Sequence, residues 1–83
     1  MKQILYFSAK WCAACQQTTP IIEQIKKTNQ AQVAIVDVDY DVSLVEKYNV
    51  KSVPTTVILE NNKEISRHIG KLTEPQLKFI ING

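Results

Sequence analysis

The 83-residue sequence predicts a three-layer α/β domain, with a four-stranded mixed sheet and three helices in the order β-α-β-α-β-β-α. Two observations lead to this fold class. In the first half of the chain, short apolar runs alternate with amphipathic helical segments, which is typical of parallel strands joined through helices. In the second half, two strand-like runs flank an Asn-Asn pair, and a capped helical segment follows. We expect residues 1–83 to form a single domain.

The first half alternates strands and helices. Ile4–Phe7 is apolar throughout, which is typical of a central strand buried on both faces. The next segment has one helical face that faces the core, formed by Cys15, Thr18, Ile22 and Ile25. Val33–Val38 is predicted to pair parallel with the first strand, because a whole helix separates the two. A short helix then begins near Asp41 or Ser43, both of which are residues favoured at an N-cap.

The second half predicts a hairpin and a last helix. The strands are Val53–Leu59 and Glu64–Ile69, and Asn61-Asn62 tolerates the positive φ angles of a tight turn between them. Thr73 and Gln76 have the spacing of a capping box at the start of the last helix.

Composition argues against two classes of protein. Lys and Arg number 10 and Asp and Glu number 8, a formal charge of +2, and the pI is near 8.6. A nucleic-acid-binding domain would show a pI above roughly 9 and clustered basic residues. An apolar run of about 18 residues, which a membrane span requires, does not occur, and the first apolar stretch is too short for a signal peptide. We therefore expect a cytoplasmic protein that binds neither nucleic acid nor membrane.

The two cysteines, Cys12 and Cys15, are the main chemical signal. A disulfide between residues so close in sequence closes almost no loop and stabilises little. A structural zinc site needs four ligands, and His68 is the other strong candidate ligand. We therefore expect no metal within one chain, although a metal or cluster shared by two chains stays open. The remaining interpretation is a reactive dithiol.

Cys12 lies where a strand gives way to a helix. Unpaired N–H groups and the helix dipole favour an anion there, and thiols at helix N-termini have pKa values lowered from about 8.5 to roughly 3.5–7.5. Cys15, one turn later, is predicted to lie deeper. An exposed attacking thiol beside a shielded partner suits thiol–disulfide exchange.

The chain carries several motifs in order, which are Phe7-Ser8-Ala9-Lys10-Trp11-Cys12-Ala13-Ala14-Cys15, Pro20, Val53-Pro54-Thr55 and Gly70. Together, over nearly the whole chain, these motifs resemble the thioredoxin family. The resemblance implies the thioredoxin fold, in a short version that lacks the family's N-terminal strand and helix. Thioredoxins are themselves among the proteins with a lowered thiol pKa of the kind described above.

The resemblance also implies a site and a reaction. Cys12 attacks a substrate disulfide, and Cys15 resolves the mixed disulfide that forms. Pro54 is cis, Val53 offers its backbone to an extended substrate segment, and Trp11 forms part of the surrounding surface. The dithiol carries the electrons, so no cofactor is expected. The implied partners are disulfide-containing proteins and a thioredoxin reductase-type electron donor, and the chain is expected to act as a monomer.

Two departures from the family bear on the mechanism. Ala13-Ala14 replaces the usual Gly-Pro between the cysteines. Tyr6 replaces a buried aspartate that assists proton transfer to the second cysteine, and a phenol with a pKa near 10 is a poor base. Asp37 and Asp39 lie at the end of the neighbouring parallel strand, at the same sheet edge as the two cysteines, so they are candidates for this proton transfer.

The leading hypothesis is thus a protein-disulfide reductase. The alternatives are a binding module of the same fold with little turnover, and a disulfide oxidase or isomerase. Two tyrosines farther along the chain, Tyr40 and Tyr48, are expected to be packing residues.

Overall fold

The computed structural model describes residues 2–82, and its elements follow the predicted order. The strands are β1 (Lys2–Ser8), β2 (Gln32–Asp37), β3 (Thr55–Glu60) and β4 (Lys63–Ile69), and the helices are α1 (Ala13–Lys27), α2 (Val42–Lys47) and α3 (Glu74–Asn82). β1 pairs parallel with β2 and antiparallel with β3, and β3 pairs antiparallel with β4. The strand order is β2-β1-β3-β4, so the predicted mixed sheet with β1 inside it is confirmed.

Two cores lie on opposite faces of the sheet. The core beneath α1 and α3 consists mainly of Ile4, Tyr6, Ile22, Ile25, Ile58 and Leu77. The core beneath α2 consists mainly of Phe7, Val36, Val50, Val57 and Leu59. Neighbouring strand residues belong to different cores because successive side chains point to opposite faces of a sheet. Each fully buried apolar side chain contributes about 1.5–3 kcal/mol relative to exposure, so both faces hold their helices and the three-layer arrangement follows.

Strand boundaries differ slightly from the prediction. β3 begins at Thr55 and not at Val53, because Pro54 has no N–H to donate to the ladder. β2 begins and ends one residue earlier than predicted, and β4 begins one residue earlier. Asn61 and Asn62 adopt φ angles of 54° and 64° in the hairpin, as predicted.

The ends of β1 and β2 position the candidate site. Ser8 and Asp37, the last residues of the two strands, are partners in the parallel register. The chain therefore leaves both strands at one edge of the sheet, and α1 begins there with Cys12 as its N-cap. Within residues 2–82, no helix has the length and apolar character that crossing a membrane requires.

Candidate functional site

Cys12 and Cys15 form a disulfide at the N-terminus of α1. The Sγ of Cys12 accepts a hydrogen bond of 3.1 Å from the backbone N–H of Cys15. The backbone N–H of Cys12 donates to the C=O of Ala9, also at 3.1 Å, which holds the cap against the loop that follows β1. Because N–H groups of a first helical turn lack partners within the helix, they favour negative charge at this end. The geometry therefore places Cys12 where a thiolate is stabilised.

Cys12 is less accessible than the sequence predicted. Its exposed fraction is 6%, against 2% for Cys15, and both cysteines pack in one cluster with Ala9 and the half-buried Val53. The prediction of an exposed Cys12 is wrong for this oxidised form, because Cys12 packs against apolar neighbours that include Ala9 and Val53. The predicted order of depth is retained, with Cys15 the deeper of the two.

The loop before β3 brings Val53 and Pro54 to the dithiol. The Val53–Pro54 peptide bond is cis and Pro54 is fully buried. The C=O of Pro54 accepts a hydrogen bond of 2.8 Å from the N–H of Gly70, and the Oγ1 of Thr55 donates to the C=O of Ser52 at 2.7 Å. Among residues 2–82, the backbone of Val53 takes part in no backbone hydrogen bond. Its N–H and C=O are thus left without a backbone partner among these residues.

Trp11 is a large exposed side chain beside the disulfide. Its exposed fraction is 69%, and its Nε1–H donates a hydrogen bond of 3.0 Å to Oδ2 of Asp39. A groove of about 240 Å³ runs between Trp11 and Val53, with Val45 and Val50 in its wall. The carboxylate of Asp39 therefore holds one wall of this largely apolar groove in place.

Asp37 and Asp39 lie at the same sheet edge, as predicted, but their surroundings differ. Asp37 is half-buried at the end of β2, and its Oδ1 accepts a hydrogen bond of 2.9 Å from the backbone N–H of Asp39. Asp37 also lines an open cavity of about 340 Å³ together with Cys15 and Thr19. Asp39 is exposed and its carboxylate binds Trp11. Of the two aspartates, the structure thus brings Asp37 to the same cavity as Cys15.

Tyr6 is fully buried behind the second cysteine. Its hydroxyl shares a hydrogen bond of 3.0 Å with Oγ1 of Thr19 and donates a longer one, of 3.4 Å, to the C=O of Cys15. Burial raises the pKa of the phenol, and the hydrogen bond with Thr19 offsets only part of this effect. Tyr6 is therefore neutral near pH 7 and ties β1 to α1, as expected of a residue that is not a base.

Tyr40 lies on the surface, although the sequence analysis expected it to be a packing residue. Its exposed fraction is 78%, and the ammonium group of Lys10 lies 5.7 Å from the centre of its ring. The expectation that it packs in the core is wrong, because the turn after β2 carries it out to solvent. A signal was present in the sequence, since Asp39 and Asp41 flank it and charged neighbours favour a surface turn.

Within residues 2–82, no group of three or more His, Cys, Asp or Glu side chains is placed to hold a metal ion.

Comparisons with known proteins agree with this geometry. The family model described as Thioredoxin matches residues 1–83. The thioredoxin of Chlamydia trachomatis is 31% identical over 80 residues, which cover 95% of this chain and 78% of that protein. The thioredoxin of Rickettsia bellii is 32% identical over 66 residues, which cover 77% of this chain and 63% of that protein.

Solved structures give the same result for the fold. A mutant thioredoxin from Halobacterium salinarum superposes with a TM-score of 0.91 at 32% identity, over 98% of this chain and 72% of that one. The thioredoxin of Fasciola hepatica superposes with a TM-score of 0.88 at 32% identity, over 98% of this chain and 78% of that one.

Proposed function

The chain belongs to the thioredoxin family, and from that premise we propose which of its residues reduce protein disulfides, and in what order. The protein is a thiol–disulfide oxidoreductase of the protein-disulfide reductase type. The observation that carries the residue assignment is the dithiol at the N-terminus of α1, beside a buried cis proline and the backbone of Val53, which makes no backbone hydrogen bond within residues 2–82.

Cys12 is the attacking residue in this proposal. As a thiolate it attacks one sulfur of a substrate disulfide, and the other sulfur leaves as a thiolate, which yields a mixed disulfide on Cys12. Cys15 then loses its proton and attacks the Sγ of Cys12, which releases the second substrate thiolate. Two electrons pass from the dithiol to the substrate, the substrate thiolates take up two protons, and the chain is left with the Cys12–Cys15 disulfide.

Trp11, Val53 and Pro54 form the substrate-binding surface in this proposal. An extended segment of the substrate hydrogen-bonds to the backbone of Val53, in the manner of a strand added to a sheet edge. The groove between Trp11 and Val53 receives an apolar side chain of that segment, because its walls are mainly valines. Pro54 offers no N–H of its own, and its packing fixes the loop that presents Val53.

We also propose the setting in which the protein works. Residues 1–83 act as a single domain and a monomer, since one chain supplies the dithiol, the loop and the groove. The protein is a two-electron carrier, and a thioredoxin reductase-type donor reopens its disulfide. A cytoplasmic location suits a reductase, because the glutathione pool there keeps thiols reduced. The binding module and the oxidase or isomerase are not favoured, since the relatives compared above are named thioredoxins.

Insulin reduction with dithiothreitol as the electron donor tests the assignment. We expect the wild type to accelerate insulin reduction and both Cys12→Ser and Cys15→Ser to lose turnover. Cys12→Ser should also fail to form a mixed disulfide, whereas Cys15→Ser should accumulate one. A wild type that fails to accelerate the reaction would favour the binding module.

The reduction potential of the Cys12–Cys15 couple tests the setting. The fluorescence of Trp11, followed in a redox buffer, should report a potential near or below the cytosolic value of about −220 to −320 mV. A much higher potential would point to an oxidase or isomerase and would argue against the cytoplasm.

A further inference from the structure

The cavity beside Cys15 bears on the deprotonation of Cys15. In this chain Tyr6 stands at the position of the aspartate that assists this step in the family. This inference rests on the proposed function, in which Cys15 must lose a proton before it attacks the mixed disulfide. The buried side chain behind Cys15 is the phenol of Tyr6, whose pKa burial raises. Its hydroxyl is already engaged with Thr19 and with the C=O of Cys15. A proton leaving Cys15 therefore needs another acceptor.

The open cavity of about 340 Å³ provides a route from Cys15 to such an acceptor. It is lined by Ser8, Ala9, Lys10, Cys15, Gln16, Thr19, Pro20 and Asp37. A water molecule occupies about 30 Å³ in the liquid and needs two to four polar partners. The cavity is open to solvent and large enough, and Ser8, Gln16, Thr19 and Asp37 offer such partners, so it accommodates water. Besides Cys15, the titratable side chains that line it are Lys10 and Asp37, and an ammonium group cannot accept a proton.

Asp37 is held in place by the backbone around it. It is the last residue of β2, in register with Ser8, and its Oδ1 accepts the N–H of Asp39. Asp39 is less suited, because it is exposed, does not line the cavity, and binds the indole of Trp11 through its carboxylate. Of the two candidate aspartates, Asp37 therefore lies at the cavity of Cys15, whereas Asp39 lies at the indole of Trp11.

We propose that Asp37 accepts the proton of the Cys15 thiol through water in this cavity and thereby replaces the acid that the family carries at the position of Tyr6. The proton passes from Cys15 to water and from water to Asp37, while the Cys15 sulfur forms its bond to the Sγ of Cys12 and the substrate thiolate leaves. Asp37 then gives the proton to solvent. In the reverse reaction, which reopens the disulfide, the same path protonates Cys15.

The two-step reaction with 5,5′-dithiobis(2-nitrobenzoate) separates the steps. Attack by Cys12 releases one thionitrobenzoate in a phase whose rate depends on reagent concentration, and attack by Cys15 releases a second in a phase that does not. The variant is Asp37→Asn, which keeps an oxygen for the N–H of Asp39. The matched control is Asp41→Asn, which removes the same charge from the same turn and keeps an N-cap on α2, since Asn and Asp cap equally well.

We expect Asp37→Asn to slow the second phase about 100-fold near pH 7, at the low end of what positioned proton transfer contributes. The first phase should stay within about twofold of the wild type, and Asp41→Asn should leave both phases unchanged. Added acetate should restore the second phase of Asp37→Asn in proportion to its concentration, a rescue that a structural role for Asp37 would not show.

Four results would overturn the proposal. They are an unchanged second phase in Asp37→Asn, equal slowing of both phases, equal slowing by Asp41→Asn, and slowing that acetate does not rescue. A wild type that releases no thionitrobenzoate would overturn the proposed function itself, so the two failures are distinguishable.

Discussion

Tyr6→Phe separates the structural role of the buried phenol from any role in proton transfer. The substitution removes one hydroxyl from the core beneath α1 and leaves the ring. That hydroxyl makes one hydrogen bond of 3.0 Å, to Thr19, and one of 3.4 Å, to the C=O of Cys15. A hydrogen bond contributes about 0.5–1.5 kcal/mol net, and the longer contact lies beyond the usual O–H···O range. We therefore count one bond and expect a loss of about 1 kcal/mol.

Urea unfolding of the oxidised protein measures this loss. The midpoint should fall without a change in the denaturant slope, and the melting temperature should fall by about 4–8 °C for a chain of this size. The second thionitrobenzoate phase should stay within about twofold of the wild type, since no proton moves through the phenol. A loss of stability above about 3 kcal/mol would refute the count of one bond. A tenfold slower second phase would refute the assignment of Tyr6 as a purely structural residue.

The pH dependence of stability gives a second view of the same substitution. Burial raises the pKa of Tyr6 in the folded chain above its ordinary value of about 10. The folded state therefore holds this proton more tightly than the unfolded state does. The resulting stability is fully present below about pH 10 and is lost as the pH rises through the folded pKa. The difference in unfolding free energy between wild type and Tyr6→Phe should shrink above about pH 10, and a constant difference from neutral to strongly alkaline pH would contradict this cause.

Three further substitutions test other contacts. Thr56→Val should stabilise the protein by about 1–3 kcal/mol in urea unfolding, because the buried Oγ1 of Thr56 has no hydrogen-bond partner among the described residues; destabilisation would show that the hydroxyl is satisfied. Glu64→Gln should cost less than about 1 kcal/mol at pH 7, since its ion pair with Arg67 is partly exposed. Arg67 lowers the pKa of Glu64 in the folded protein. The cost should therefore be present above the ordinary glutamate pKa of about 4.3 and vanish as the pH falls through the pKa of the folded protein. A cost that persists in acid would exclude the ion pair as its source. Asp39→Ala should raise the KM for insulin, because it frees the indole of Trp11, while both thionitrobenzoate phases stay unchanged; an unchanged KM would remove Asp39 from the groove.

Local patterns in the sequence predicted most of the fold. Strand and helix periodicity gave the order of the elements, and the turn at Asn61-Asn62 and the capping box of Thr73 and Gln76 were both found as predicted. The start of β3 was predicted two residues too early, because apolar residues continue through Val53 although proline stops the ladder. Turns, caps and the order of the elements can be predicted from sequence because they depend on residues within one turn or one strand.

Local sequence patterns predicted only part of the chemistry of the site. Two cysteines three positions apart, directly after a strand, identify a dithiol at a helix N-terminus without any long-range contact. The burial of Cys12 could not be predicted in this way, because it depends on packing against Val53, which lies some forty residues away in the chain.

The sequence by itself determined a thioredoxin-like α/β chain with its dithiol at the start of α1, since periodicity, capping and residue spacing are local properties. Only the tertiary structure decided how the two aspartates at the end of β2 are placed. Both were expected at one sheet edge, yet Asp37 faces the cavity of Cys15 while Asp39 binds Trp11. The two aspartates are only two positions apart, yet their surroundings differ. The parallel register places Ser8 beside Asp37, and this pairing between distant parts of the chain brings the turn after β2 next to the loop after β1.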